Sequence, residues 1–420
     1  MHTTPDHATD PTTIRATCLA LDQQDPLAPL RERFELPAGV IYLDGNSLGA
    51  MPKAVPQRLA IALQQEWAQG LIRSWNDADW YQAPQRVGAR IATLIGAAAD
   101  EVIVADSVSV NLFKLLVAGL RLRPGRRRIL GEQGNFPTDV YIANGVAGLT
   151  GAELVTVDPS ALLEAIDDSV AIVSLTHVNY RSGQVYDMAA ITRRAHAVGA
   201  LVLWDLAHTT GALPCDLTAA QADFAVGCGY KYLNGGPGAP AFAFVAQRHQ
   251  AVLQQPITGW HGHARPFTFE HGFEPAPGMA RLLVGTAPQL SLIALEAALT
   301  AFDGVDMAAL RHKSLALTTL FIQLVDAQLG CDAFGLASPR DGAQRGSQVA
   351  LTHPQGYAVM QALIARGVIG DFRAPDILRF GFAPLYLRFV DVWDAVATLQ
   401  DVMTTRAWDA PEYLQRKAVT

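Results

Sequence analysis

Neither sign of charge dominates this sequence. Among 420 residues, 32 are basic and 39 acidic, a formal net charge of -7. The densest basic cluster, Arg121, Arg123, Arg126, Arg127 and Arg128, surrounds a Pro-Gly turn and reads as a solvated loop between a helix and a strand. Nucleic acid is therefore not an expected partner. Cysteine is scarce. Cys18, Cys215, Cys228 and Cys331 have neither metal-ligand spacing nor the look of a disulfide framework, so no metal is expected and the usage is that of a reducing cytosol. No apolar run reaches the ~18–20 residues of a membrane span. The polar start, Met1-His-Thr-Thr-Pro-Asp-His, lacks the basic-then-apolar pattern of a signal peptide. The expectation is a soluble, cytoplasmic protein with no membrane partner. Nucleotide motifs are missing too. Gly227-Cys-Gly229 begins like G-x-G-x-x-G, but position 232 is Tyr, and no G-x-x-x-x-G-K-[ST] occurs. There is no internal repeat.

What is present is a large apolar content. Half the residues are hydrophobic and 17% are charged, a composition that buries a core rather than staying disordered. The middle of the chain alternates. Strands are predicted near 101–105, 128–131, 171–176, 201–205, 223–227 and 241–245, with helices over 111–120, 138–148 and 188–198. Such an order gives α/β architecture with a mostly parallel sheet covered on both faces. Helical periodicity is also predicted over 53–70, 289–302, 307–329 and 355–366. The change of pattern after about residue 290 suggests a second, smaller α+β domain. The expected division is an N-terminal segment (1–60) belonging to the small domain, a large domain (61–295) and a C-terminal small domain (296–420).

In open α/β sheets, ligands bind beyond the carboxyl ends of the strands. Asp205 ends the strand Leu201-Val-Leu-Trp204, and His208 follows it. Taken alone, Asp205 reads as an N-cap or turn residue and His208 as structural. Lys231 comes just after the next strand, between a glycine-rich approach and the glycine-rich exit Asn234-Gly-Gly-Pro-Gly238. Its flanks, Tyr230, Tyr232 and Leu233, would bury it, the condition under which lysine becomes a competent amine nucleophile. The glycines let backbone and a flat ligand approach closely.

Together these positions suit pyridoxal 5'-phosphate (PLP), which needs an amine for its aldehyde carbon, a carboxylate for its ring nitrogen and an anion site for its phosphate. Lys231 would form the imine and Asp205 would keep the ring nitrogen protonated. The 26 residues between them leave room for one further helix and strand. Asp106-Ser-Val-Ser109 leads into a helix expected to begin near Asn111, whose N–H groups, with the Ser109 hydroxyl, could cradle the phosphate. Phe136 reads equally as a plate on the ring and as core packing. Arg379 offers the planar two-pronged donor that suits a carboxylate; by itself it reads as a surface arginine. Trp75, Trp80 and His261 are candidates for an aromatic pocket, with core packing as the alternative for the tryptophans.

At this level of detail the chain resembles the kynureninase family. The segments that carry the resemblance are Leu43-Asp-Gly-Asn-Ser-Leu-Gly49, Val108-Ser-Val-Asn-Leu112, Asn135-Phe-Pro-Thr-Asp139, Leu203-Trp-Asp-Leu-Ala-His208, Gly229-Tyr-Lys-Tyr-Leu-Asn-Gly235, Gly259-Trp260 and Arg379-Phe-Gly-Phe-Ala-Pro-Leu-Tyr386. The resemblance implies PLP fold type I, with a seven-stranded, mostly parallel large domain and a smaller α+β domain. It implies a homodimer with shared active sites that hydrolyses L-kynurenine, or its 3-hydroxy form, to anthranilate (or hydroxyanthranilate) and L-alanine in tryptophan degradation. By position it assigns Val108, Ser109, Phe136, Asp139, Thr176, Asp205, His208, Tyr230 and Lys231 to the cofactor. Trp260 and Thr286 become contacts supplied by the partner subunit. Arg379 becomes the grip on the substrate α-carboxylate, and Tyr230, beside Lys231, a proton donor.

Three other readings compete with this one. A cysteine desulfurase needs a nucleophilic cysteine, and Cys331 lacks activating neighbours. An aminotransferase would show a stable 2-oxoacid half-reaction. A non-catalytic PLP-binding regulatory domain would carry a DNA-binding module, for which the first 40 residues are too few and too acidic.

Overall fold

The computed structural model describes residues 11–330 and 332–416. The polar leader at 1–10 and Cys331 lie outside them. Seven strands form the central sheet: β1 (Val102–Val104), β2 (Arg128–Glu132), β3 (Glu153–Val157), β4 (Val170–Thr176), β5 (Leu201–Asp205), β6 (Phe224–Cys228) and β7 (Ala241–Val245). Their order is β1-β7-β6-β5-β4-β2-β3. From β6 to β3 every pairing is parallel, and β7 alone runs against both its neighbours. The mostly parallel, seven-stranded α/β sheet is thus as expected. The edge strand β3 is an addition: its residues are exposed or half-buried, so it lacks the continuous buried run that marks the interior strands.

The α-helices of eight or more residues, in chain order, are α1 (Pro11–Gln24), α2 (Ala54–Ile61), α3 (Ala83–Leu94), α4 (Val108–Leu122), α5 (Pro137–Thr150), α6 (Met188–Ala197), α7 (Gln289–Ala298), α8 (Met307–Leu329), α9 (Gly356–Ile364) and α10 (Phe389–Thr404). Successive strand residues point to opposite faces. Ile172, Leu203 and Val226 join Leu112 and Leu115 of α4 and Val146 of α5 in one core. Val173, Val202 and Trp204 join Ile91 of α3 and Ile191 of α6 in the other. Each fully buried Val, Leu or Phe contributes about 1.5–3 kcal/mol, so this double burial makes the sheet a stiff platform.

Two local expectations are corrected. The β5–β6 connection contains no helix. It is a run of turns, with Thr209 and Thr210 N–H groups donating to the Leu206 carbonyl, and Gly211 at φ +82° and Pro214 keep it from extending into one. In addition, α4 starts at Val108 rather than near Asn111, because Ser107 caps it by accepting from Val110 N at 3.3 Å. Ser109 therefore sits inside the first turn. The periodic stretch 53–70 divides into α2 and a π-helical segment, Ala62–Gly70, and its apolar residues Leu63 and Trp67 are exposed.

A second, antiparallel sheet follows: β8 (Gly335–Leu336), β9 (Gln348–Thr352), β10 (Asp371–Arg373) and β11 (Ile377–Gly381), in the order β8-β9-β11-β10. The N-terminal segment joins this region, as Ile41–Tyr42 pairs in parallel with Val368–Ile369. An ion pair between Lys313 of α8 and Asp25, 2.7 Å long with both side chains 5% exposed, fastens it further. Among the described residues no helix is long and apolar enough to cross a membrane, and Cys18, Cys215 and Cys228 are free thiols.

Candidate active site

A cavity of about 280 Å³ opens where β2, β4, β5 and β6 end and β7 begins. Nine of the residues singled out above line it: Val108, Ser109, Phe136, Asp139, Thr176, Asp205, His208, Tyr230 and Lys231. Its size is near the lower end of small-molecule sites, which run about 300–1,000 Å³, enough for one substituted ring.

Lys231 lies on the hairpin connection between β6 and β7 and is half-buried. Its Nζ is 3.0 Å from His208 Nε2 and 5.8 Å from the centre of the Phe136 ring. The hairpin is backed by the N-terminal segment: Gly49 N–H donates to the Tyr230 carbonyl at 2.8 Å, and a Cβ on Gly49 would collide with the Lys231 carbonyl oxygen. That contact demands glycine. His208 is fully buried, with Nδ1 3.0 Å from Gln348 Oε1. Burial pushes its protonation well below the ordinary range, and the cations Lys231, Arg379 and Arg373 act in the same direction, so the ring is neutral.

Two carboxyls face the lysine. Asp205 accepts from Ala207 N at 2.6 Å and shares a hydrogen bond with Asp139. Burial raises both. The negative charge of Asp205 raises Asp139 further, while the Lys231 cation and the Ala207 N–H draw Asp205 back down. The Ala207 N–H and the Lys231 cation favour negative charge on Asp205, so Asp139 is the better placed of the two to hold a proton and donate. The remaining oxygen of Asp139, Oδ1, and the Thr176 hydroxyl are buried without a hydrogen-bond partner. Buried polar atoms are rarely left so, and a ligand with polar atoms at its rim would satisfy them.

The N-terminus of α4 closes the cavity opposite. Its first-turn N–H groups lack partners within the helix and favour an anion, and the Ser107 and Ser109 side chains stand beside them. The turn before it is held by an ion pair between Asp106, at φ +48°, and the fully buried Lys114, whose Nζ also donates to the Leu282 carbonyl at 2.6 Å. Cys228 also lines the cavity, its thiol pushed up by burial, which makes it a poor nucleophile.

Arg379 does not line the cavity. It lies in β11, 2% exposed. Nε donates to Asp371 Oδ1 at 2.9 Å and Nη2 to Asp371 Oδ2, while Nη2 also donates to Ser47 Oγ at 2.8 Å and Nη1 to the Tyr180 carbonyl at 2.7 Å. Tyr180 does line the cavity, and its ring meets Phe136 edge-on at 5.2 Å. The guanidinium is thus held one residue back from the cavity wall, behind Tyr180.

Asp44 belongs to this acidic corner. Burial, then the charge of Asp371, raises its pKa to about 7. The unfolded value is about 3.9, so the native state keeps a proton that the unfolded state has lost. Stability from this group is complete below about pH 4 and is lost as pH rises through about 7. Asp44→Asn, which cannot ionise, is expected to gain on the parent protein in urea-unfolding midpoint between about pH 5 and about pH 8. A difference that stays constant over that range would contradict the assignment.

Trp75, Trp80, Trp260, His261 and Thr286 are not brought to the cavity of their own chain. His261 is buried and stacks on Trp260 at 4.9 Å and 9°. Its Nδ1–H donates to the Gly285 carbonyl at 3.0 Å, and Trp75 and Tyr81 lie against it. Trp80 packs edge-on against Trp75. Trp260 is 41% exposed and Thr286 is exposed, so these two face outward. Tyr180, Gln348 and Asp371 were missed by sequence reasoning. Tyr180 stands four residues beyond the end of β4, in the same kind of position as Phe136 after β2. Gln348 and Asp371 carry no local signal, since their partners lie far away in sequence.

The doubly wound sheet, with an amine, a buried carboxylate pair and a helix N-terminus around one cavity, defines a PLP-dependent enzyme of fold type I. Solved structures share the fold. An apo cysteine desulfurase from Thermococcus onnurineus NA1 aligns with a TM-score of 0.77 at 17% identity, covering 90% of this chain and 98% of that one. A C-DES mutant with glycine covalently linked to its PLP cofactor aligns at 0.76 and 18% identity, covering 88% and 99%. Sequence relatives are far nearer. The kynureninase of Burkholderia mallei strain SAVP1 is 55% identical over 413 residues, 97% of this chain and 99% of that protein. That of Pseudomonas fluorescens is 52% identical over 415 residues, 97% and 100%. The model of the kynureninase C-terminal domain matches residues 310–399. The chain belongs to the kynureninase family.

Proposed function

We propose that this protein hydrolyses L-kynurenine to anthranilate and L-alanine with PLP held at Lys231. The observation that carries the reading is the convergence of Lys231, His208, the Asp139–Asp205 pair and the start of α4 on one cavity. In this site Lys231 would bind the cofactor's aldehyde carbon, Asp205 would hold a proton on the ring nitrogen, Val108 and Ser109 at the start of α4 would hold the phosphate, Phe136 would stack on the ring, and Thr176 would contact its edge. When bound, PLP supplies an electron sink conjugated to the substrate Cα.

The chain's own residues do the rest. Arg379 binds the α-carboxylate through its Nη edge. Lys231, freed by the substrate amine, takes the proton from Cα and moves it. Water adds to the γ-carbonyl, the Cβ–Cγ bond breaks, and the oxygen leaves in the carboxylate of anthranilate. Tyr230, whose phenol is kept protonated by burial, delivers a proton to Cβ. Tyr230→Phe is expected to lower kcat by roughly 10²–10⁴-fold, the span of general acid catalysis. A parental rate in that variant would remove Tyr230 from the mechanism.

The same reading includes a homodimer with shared sites. Its support is outward-facing Trp260 and Thr286, with an apolar groove of about 700 Å³ lined by Leu48, Met51, Leu63 and Leu290 among others. In that dimer Trp260 and Thr286 would complete the partner's cofactor site; Trp75 and His261 are the candidates for the pocket of the substrate's ring. The division into segments 1–60, 61–295 and 296–420 and a cytoplasmic location belong to the proposal as well; the pairing of Ile41–Tyr42 with Val368–Ile369 supports the first. The test is direct. Protein loaded with PLP is given L-kynurenine, and anthranilate is followed by fluorescence alongside alanine. Equal amounts of both are expected. No anthranilate from protein that carries the cofactor would overturn the reading. 3-Hydroxykynurenine in parallel decides the ring preference.

A further inference from the structure

Gln348 opens β9 in the second sheet, 140 residues from His208 along the chain, and is 1% exposed. Its amide nitrogen donates to the Tyr180 carbonyl at 3.0 Å and faces the Asn179 carbonyl at 3.4 Å. Carbonyls only accept, so the NH₂ group must face them and the amide oxygen must face His208. An oxygen 3.0 Å from Nδ1 requires a proton on Nδ1. In a neutral imidazole the other nitrogen then carries the lone pair, and that nitrogen, Nε2, is the one 3.0 Å from Lys231 Nζ. The Tyr180 carbonyl that orients Gln348 also accepts from Arg379 Nη1.

We propose that Gln348 is a positioning residue for the reaction: it locks His208 as the Nδ1–H tautomer, so that Nε2 accepts a hydrogen bond from the Lys231 nitrogen and holds its proton in place. Through the shared Tyr180 carbonyl, the same amide joins the lysine to the carboxylate grip. The inference rests on Lys231 being the cofactor-binding amine. Burial of His208 supports it, since a neutral ring is the condition for a tautomer to matter.

The charged and titratable groups facing the pair are Asp205, Asp139, Tyr230 and Cys228 around Lys231, and Arg379 and Arg373 around His208. They stay unchanged in Gln348→Met and Gln348→Glu. Both variants are to be made as holoenzymes, and the absorbance of the bound cofactor titrated with pH. Met removes the acceptor, so Nε2 no longer reliably accepts, and the protonated form of the lysine nitrogen loses support. The midpoint should move down. Glu keeps an acceptor and adds a negative charge, so the midpoint should move up. In Met, kcat on kynurenine should fall about 10–100-fold, the range for partners that orient an imidazole, with a smaller change in KM. A residue that only packs would lower the thermal midpoint of the apoprotein and leave the titration where it was.

Parental titration midpoints in both variants would overturn the proposal. So would a folded apoprotein that no longer takes up PLP in either variant, which would assign Gln348 to cofactor binding instead. If the parent protein failed to cleave kynurenine, the functional reading would fall, while the cofactor titration would still judge Gln348.

Discussion

Lys231→Ala is expected to lower turnover of L-kynurenine by at least about 10⁴-fold, because covalent attachment and proton transfer are lost together. No other lysine or arginine lines the cavity among the described residues, so nothing nearby can substitute. His208 stays in place, yet a neutral imidazole cannot form the linkage. The variant should also lose the absorbance band of the lysine-linked cofactor while keeping a folded sheet, since Lys231 is half-buried on a connection rather than part of a core. Small exogenous amines should restore part of the rate. A variant within tenfold of the parent would place the reactive amine elsewhere.

Asp205→Asn should cost about 10²–10³-fold in kcat, the usual loss when one buried electrostatic partner of the reacting group is removed. Asparagine keeps an oxygen for the Ala207 N–H and for the protonated Asp139, so the local hydrogen bonds survive and the fold with them. What disappears is the anion. The ring nitrogen would then lose the partner that keeps it protonated, and the cofactor would withdraw electrons less strongly. Steady-state kinetics and PLP affinity, measured together, check this. Turnover within threefold of the parent would mean that Asp139 or another group carries the charge.

Most parts of this site that could be read from sequence share one property: they stand at or just past the end of a strand of continuous apolar residues. Asp205 closes β5, Lys231 follows β6, Phe136 follows β2, and Ser109 follows β1. Strand ends are visible because fully buried strands leave unbroken runs such as Ala171-Ile-Val-Ser-Leu-Thr176. Tyr180 follows the same rule, standing as far past β4 as Phe136 stands past β2. Asp371 and Gln348 come from short strands of the second sheet, and their side chains meet residues distant in sequence. No periodicity reports which of those side chains face the other sheet. The missing β5–β6 helix has a different origin: a gap long enough for a helix says nothing about whether Gly211 and Pro214 allow one.

The reversal of β7 has a mechanical consequence. In a parallel sheet, the chain leaving β6 would have to travel to the far edge before the next strand began. Because β7 runs backwards, residues 229–240 start and finish at the same rim. The two stems are locked in register from Cys228 with Ala241 to Phe224 with Val245. Lys231 thus rides on a short tether clamped at both ends. Closing so short a loop costs little further entropy, and its ends cannot drift apart. A residue added in the closely packed stretch 229–235 would displace the amine, so length variation there should be as damaging as changing the lysine itself, whereas the exposed tip at Pro237-Gly238 has room for one.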